Sequence, residues 1–148
     1  VLTVSDITDS FMEAYDSEIL STAHTRYCNI VDTLEGKLLI GDEKAYYTKG
    51  KVLVAAANPD LMESYISKHD LVILGNRYES QLCAIEMEAD CIVVCEGAPV
   101  SLTIRKLAQE RGCTVISTPF DTFTAAHKSE YANQLLYEAR SFDHLRGR

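Results

Sequence analysis

Nine positions of this 148-residue sequence carry most of the chemistry it offers outside its apolar runs: Asn58; Gly75, Asn76 and Arg77; Cys95, Glu96 and Gly97; Thr118 and Asp121. Each group follows closely on an apolar run, namely VLVAAA at 52–57, LVIL at 71–74, CIVV at 91–94 and CTVIS at 113–117. The residue types suit an anion. A guanidinium grips a phosphate or carboxylate in two places, glycine lets backbone come close, and a capped helix start presents free N–H groups to negative charge. The same residues also suit plain structural work. Asn58, and Thr118 with Asp121 three residues on, have the spacing of helix caps, and Gly75 and Gly97 permit sharp turns. Both readings stand at this point: a rim for a small ligand or partner, or well-made loop ends.

Catalytic machinery is harder to find. No G-x-x-x-x-G-K-[ST], G-x-G-x-x-G, G-x-S-x-G or H-E-x-x-H motif occurs. His24, His69, His127 and His144 lie far apart and read as surface or helix-end residues, and Glu86 and Glu88 are two apart on a helix, facing different ways. The five cysteines sit mostly in apolar runs, as reduced thiols do in a reducing compartment. Cys91 and Cys95 are four apart on a strand, hence about 13 Å apart, too far for one zinc ion. We therefore expect no metal site and no catalytic residue. The net charge of -8 opposes nucleic acid. No apolar run reaches the roughly 20 residues of a membrane span, and the N-terminus lacks the regions of a signal peptide, which gives a cytoplasmic reading.

The elements that must position the nine residues follow from the same runs. Their continuous β-branched character is that of strands buried on both faces. Between them, Tyr78, Leu82, Ile85 and Ala89 share one helical face, as do Val100, Ile104, Leu107 and Ala108. Pro99 suits the first turn of the latter helix and Gly112 the position past its end, while Asn58 caps a helix with Pro59 first. The expected fold is α/β: a mostly parallel sheet with right-handed β-α-β crossovers and helices packed on it. Its strands would all end on one edge, gathering the nine residues along a rim.

Before the sheet, residues 3–24 mix helical spacing with acidic positions and predict a helical lead-in. KLLIG at 37–41 and AYYTKGKV at 45–52 suggest a small hairpin turning near Lys49-Gly50, with one of Tyr46 and Tyr47 packed inward. Residues 128–148 carry four basic residues against three acidic and read as an atypical tail added to a domain spanning 1–127.

The stretches GNRYESQLCAIEMEADCIVVCEG and GCTVISTPFDTFTAA, with the lead-in SFMEAYDSEIL and the crossover AAANPDLMESYI, resemble the DRTGG domain. The version most like them is the one inserted between the CBS modules of CBS-containing family II inorganic pyrophosphatases. Of the five motif letters, Arg77 and Gly97 match; Asn76 stands for the aspartate, Cys95 for the threonine and Glu96 for the first glycine. Gly75, Gln81, Ala84, Ile85, Glu86, Thr118, Pro119, Asp121 and Thr122 fit the wider pattern. Glu96 sets a negative charge beside the helix start, which opposes phosphate binding there. The resemblance implies a non-catalytic regulatory and dimerisation module, flanked by CBS modules that take the adenine nucleotides. Manganese or cobalt would belong only to the parent enzyme's catalytic domains. Two alternatives come with it: a nucleotide- or phosphate-binding module using the rim, and the regulatory N-terminal domain of a phosphotransacetylase-type enzyme.

Overall fold

Strands without a polar face must be covered on both sides, and these are. The computed structural model describes residues 25–55 and 59–129. In chain order the elements are β1 (Thr25–Arg26), α1 (Tyr27–Thr33), β2 (Lys37–Ile40), β3 (Tyr46–Tyr47), β4 (Val52–Val54), α2 (Pro59–Tyr65), β5 (Leu71–Leu74), α3 (Tyr78–Glu86), β6 (Cys91–Val94), α4 (Leu102–Arg111) and β7 (Thr114–Ser117). A last helix, α5, begins at 122 and is described through 129, so Lys128 and Ser129 continue it. The expected lead-in over 3–24, Asn58, and the tail from 130 lie outside the described residues.

The main sheet has five strands in the order β2-β7-β6-β5-β4. β4, β5, β6 and β7 are mutually parallel, and β2 closes the β7 edge antiparallel. Side chains alternate between two cores, as the pleat demands. Leu53, Val72, Leu74, Ile92, Val94 and Val115 face α2, α3 and α4, where Met62, Ala84, Ile85, Ile104 and Ala108 cover them. Val52, Val54, Leu71, Ile73, Cys91, Val93 and Ile116 face the other way, onto α1 and α5 through Tyr27, Ile30, Ala125 and Ala126. Strands in sequence order with all three crossover helices on one face are what a constant crossover hand produces.

Three expectations are corrected. The hairpin does not form. β2 runs beside β7, pairing Lys37 with Ser117 and Leu38 with Ile116, while β3 pairs with β1 in a separate two-stranded sheet. β2 finds its partner far along the chain because β7 would otherwise leave a buried strand edge unpaired. Secondly, α4 starts at Leu102, not at Pro99; Ser101 caps it, its Oγ accepting from the Ile104 N–H at 3.2 Å, and Gly112 ends it at φ 71°. Thirdly, Tyr78 does not face the core: it is 43% exposed, and α3 instead buries Ser80, Gln81, Ala84 and Ile85. Of the two adjacent tyrosines, Tyr47 is the packed one and Tyr46 lies outside, with the Arg26 guanidinium over its ring at 4.9 Å.

Candidate functional site

The parallel strands β4 to β7 all end on one edge, and the loops there hold every candidate residue that is described. After β5, Asn76 and Arg77 are exposed and Gly75 is half-buried. Gln81, itself buried, turns back from α3 and donates from Nε2 to the Gly75 carbonyl at 3.1 Å. Arg77 is the residue before α3, in extended conformation and without a side-chain cap. Its guanidinium makes no hydrogen bond or ion pair to the described residues.

After β6 the chain turns through two successive left-handed residues, Glu96 at φ 62° and Gly97 at φ 63°. A side chain at Gly97 would meet nothing within 4 Å, so the demand for glycine there is conformational. This turn sends both N–H groups across to the neighbouring loop: Glu96 donates to the Phe120 carbonyl at 2.7 Å and Gly97 to the Thr118 carbonyl at 2.8 Å. Those amides are thus spent inside the fold. Cys95 lies beneath them, fully buried; burial first, then the charges of Glu96 and Asp121, pushes its thiol up to about 12.

After β7, Thr118 is 1% exposed and acts as a pin rather than a cap. Its N–H donates to Val94 at 3.0 Å, its Oγ1 donates to the Leu34 carbonyl at 2.7 Å, and the same oxygen accepts from the Phe120 N–H at 3.3 Å. The T-x-x-D spacing therefore splits into two functions. Asp121 alone caps α5, its Oδ1 accepting from the Thr124 N–H at 2.7 Å, and the hydrogen bonds from Thr124 hold its carboxyl below the ordinary carboxylate range.

The structure thus ties Cys95, Glu96, Gly97, Thr118 and the loop before Asp121 into one hydrogen-bonded unit. Among the described residues, Gly75 to Arg77 join it through the sheet, by the Cys95 N–H donating to Leu74 at 2.9 Å. Arg77 shares the rim with Glu79, Glu96 and Asp121 and with two further cations: Arg105, whose Nε donates to the Val100 carbonyl at 3.2 Å, and Lys128, over the Phe120 ring at 4.8 Å. Sequence reasoning missed what else lies on this edge: Tyr78 opens α3, Leu102 opens α4 and Phe123 stands in the first turn of α5, at 43%, 66% and 56% exposure. An apolar residue in a first turn, beside the cap and off the buried face, was the available signal.

Among the described residues no group of three or more His, Cys, Asp and Glu side chains is arranged to hold a metal ion, and no helix is long and apolar enough to cross a membrane.

The model of the DRTGG domain matches residues 29–132. A cobalt-dependent inorganic pyrophosphatase of Clostridium perfringens is 37% identical over 126 residues, which are 85% of this chain and 23% of that protein. A probable manganese-dependent inorganic pyrophosphatase of Thermotoga maritima is 27% identical over 126 residues, with the same coverage of 85% and 23%. The chain therefore spans about a quarter of the length of these relatives. The crystal structure of the CBS and DRTGG domains of the regulatory region of the Clostridium perfringens pyrophosphatase, complexed with its activator diadenosine tetraphosphate, superposes with a TM-score of 0.74. It is 36% identical, and the match covers 88% of this chain and 57% of that one.

Proposed function

Since this chain belongs to the DRTGG domain family, we propose that it serves as a non-catalytic regulatory and dimerisation module of a nucleotide-regulated, CBS-containing inorganic pyrophosphatase in the cytoplasm. Hydrolysis, and the manganese or cobalt it uses, belong on this reading to other domains of the parent protein. The adenine nucleotides act on the flanking CBS modules and reach this domain indirectly.

The observation that carries the reading is the character of the rim. Its loop amides at Glu96 and Gly97 are engaged by Phe120 and Thr118, while Tyr78, Leu102 and Phe123 put apolar surface on the same edge. Such surface gains free energy by leaving water, at roughly 25 cal/mol for each Å² buried. A twofold pairing through it covers each copy's patch with the other's. Pairing two modules would also hold the segments on either side of them at a fixed separation. A nucleotide bound elsewhere can then act through the module only by favouring one arrangement of that pair over another.

Sedimentation velocity tests this. The chain is expected to sediment as a dimer at high micromolar concentration, and the double substitution Leu102→Glu with Phe123→Glu, both at exposed positions, to yield monomers with unchanged circular dichroism. A monomeric unsubstituted chain would overturn the dimerisation role.

A second reading, binding of a nucleotide or phosphate at the rim around Asn76, Arg77, Gly97 and Thr118, is favoured by one observation. The Arg77 guanidinium is exposed and unengaged by the described residues.

A further inference from the structure

The opposite edge of the sheet, where the parallel strands begin, holds a cleft of about 610 Å³. Sites for small organic molecules run from roughly 300 to 1,000 Å³. The cleft opens between the end of β2 with the loop after it, the starts of β6 and β7, and the C-terminus of α4. It owes its walls to backbone bonding: the Tyr27 N–H donates to the Ala45 carbonyl at 3.0 Å and the Cys28 N–H to Glu43 at 2.9 Å. These bonds strap the 41–45 loop over the start of α1. At the floor, Tyr27 and Thr114 are both more than nine-tenths buried yet line the cleft. Leu39, Ile40 and Ala108 supply apolar wall, and Asp42 and Asp90 supply the only charges among the described lining residues.

We propose that this cleft binds a small organic cation, an amine or amidine carried on an apolar body. Among the described residues, each carboxylate has one oxygen engaged. Asp42 Oδ1 accepts from the Lys44 N–H at 2.9 Å, and Asp90 Oδ1 meets His69 Nδ1 at 3.0 Å, with the Asp90 side chain 35% exposed. The C-terminus of α4 adds the negative end of its dipole at the same place. Lys44 and Arg111 are exposed and stand outside the lining, as does His69, which meets Asp90 from outside it and opposes the field there only when protonated. An ion pair with two carboxylates orients the cationic head, and Leu39, Ile40 and Ala108 receive the body. The proposal concerns the edge away from the rim, so it stands or falls independently of the dimerisation role.

Benzamidine is the probe, with neutral benzamide as its near-isostere, in an amide-resolved NMR titration of the full chain. Benzamidine is expected to give saturable shifts at Gly41, Asp90, Gly112 and Thr114 with a Kd of about 1 mM or tighter, and benzamide to bind about tenfold more weakly or not at all. Asp42→Asn and Asp90→Asn together should weaken benzamidine by about tenfold or more, provided the spectrum away from the cleft is unchanged. Absence of saturation with benzamidine, or equal binding of benzamide, would overturn the proposal, and the benzamide arm decides the matter even if the double variant unfolds.

Discussion

The two edges of the sheet are built from the same kinds of residues to opposite effect. At the edge where the strands end, two left-handed residues and a buried threonine draw the loops together, the Glu96 and Gly97 amides donating to the Phe120 and Thr118 carbonyls. At the edge where they begin, the 41–45 loop is strapped to α1 instead of to the sheet ends, and a cleft with two carboxylates remains. In open α/β sheets ligands are expected at the ends of the strands, on helix N-termini. What decides is whether the loop amides remain unspent. Here the conventional edge has spent its Glu96 and Gly97 amides within the fold and carries Tyr78, Leu102 and Phe123 outside, which suits a protein partner.

Substitutions that touch one edge at a time sharpen this contrast, each read by urea denaturation. The largest effect is expected at Gly50→Ala on the starting edge. Gly50 has φ 85°, and a Cβ there would run into the His69 carbonyl, so strain and a backbone clash combine to a loss of about 3 kcal/mol. A near-neutral result would show that this edge yields where the rim does not. Next comes Thr118→Val on the rim. It strips the buried hydroxyl from the Leu34 carbonyl and the Phe120 N–H, which should cost about 1–3 kcal/mol. If stability were unchanged, the loops would not be held by that pin.

Gly97→Ala should cost about 1 kcal/mol, since its φ of 63° is unfavourable but the space around it is open. A loss as large as that at Gly50 would mean that the Glu96-Gly97 turn tolerates no adjustment. Arg77→Ala, at an exposed position with no described side-chain bond, should change stability by no more than about 0.5 kcal/mol. A loss above about 2 kcal/mol would assign Arg77 to holding the loops together, in the manner of Thr118.

How legible these features were depended on how local their causes are. The four parallel strands could be read directly, because each carries an unbroken apolar run and its neighbour is the next run in sequence. β2 could not be placed, since its partner β7 lies beyond three crossovers and nothing in KLLI names it. Adjacent strands usually pair, so the hairpin was the natural expectation. Pro99 drew the start of α4 forward, whereas the cap is the less conspicuous Ser101, followed by an apolar residue on the solvent side. Thr118 and Asp121 had the spacing of a capping box, yet only Asp121 caps. The carbonyl that claims Thr118, on Leu34, is 84 residues away, and no local pattern records such a bond. Helical periodicity likewise placed Tyr78 inward because it fixes a face without saying where along the helix the core stops.

The most direct measurement is an amide-resolved NMR titration of the chain with AMP, ADP and diadenosine tetraphosphate, at a concentration where its oligomeric state is known. Spectra that stay flat at Gly75, Arg77, Gly97 and Thr118 are the expected result, in keeping with a rim used for assembly. Saturable shifts at those four residues would contradict it and make the rim a nucleotide site.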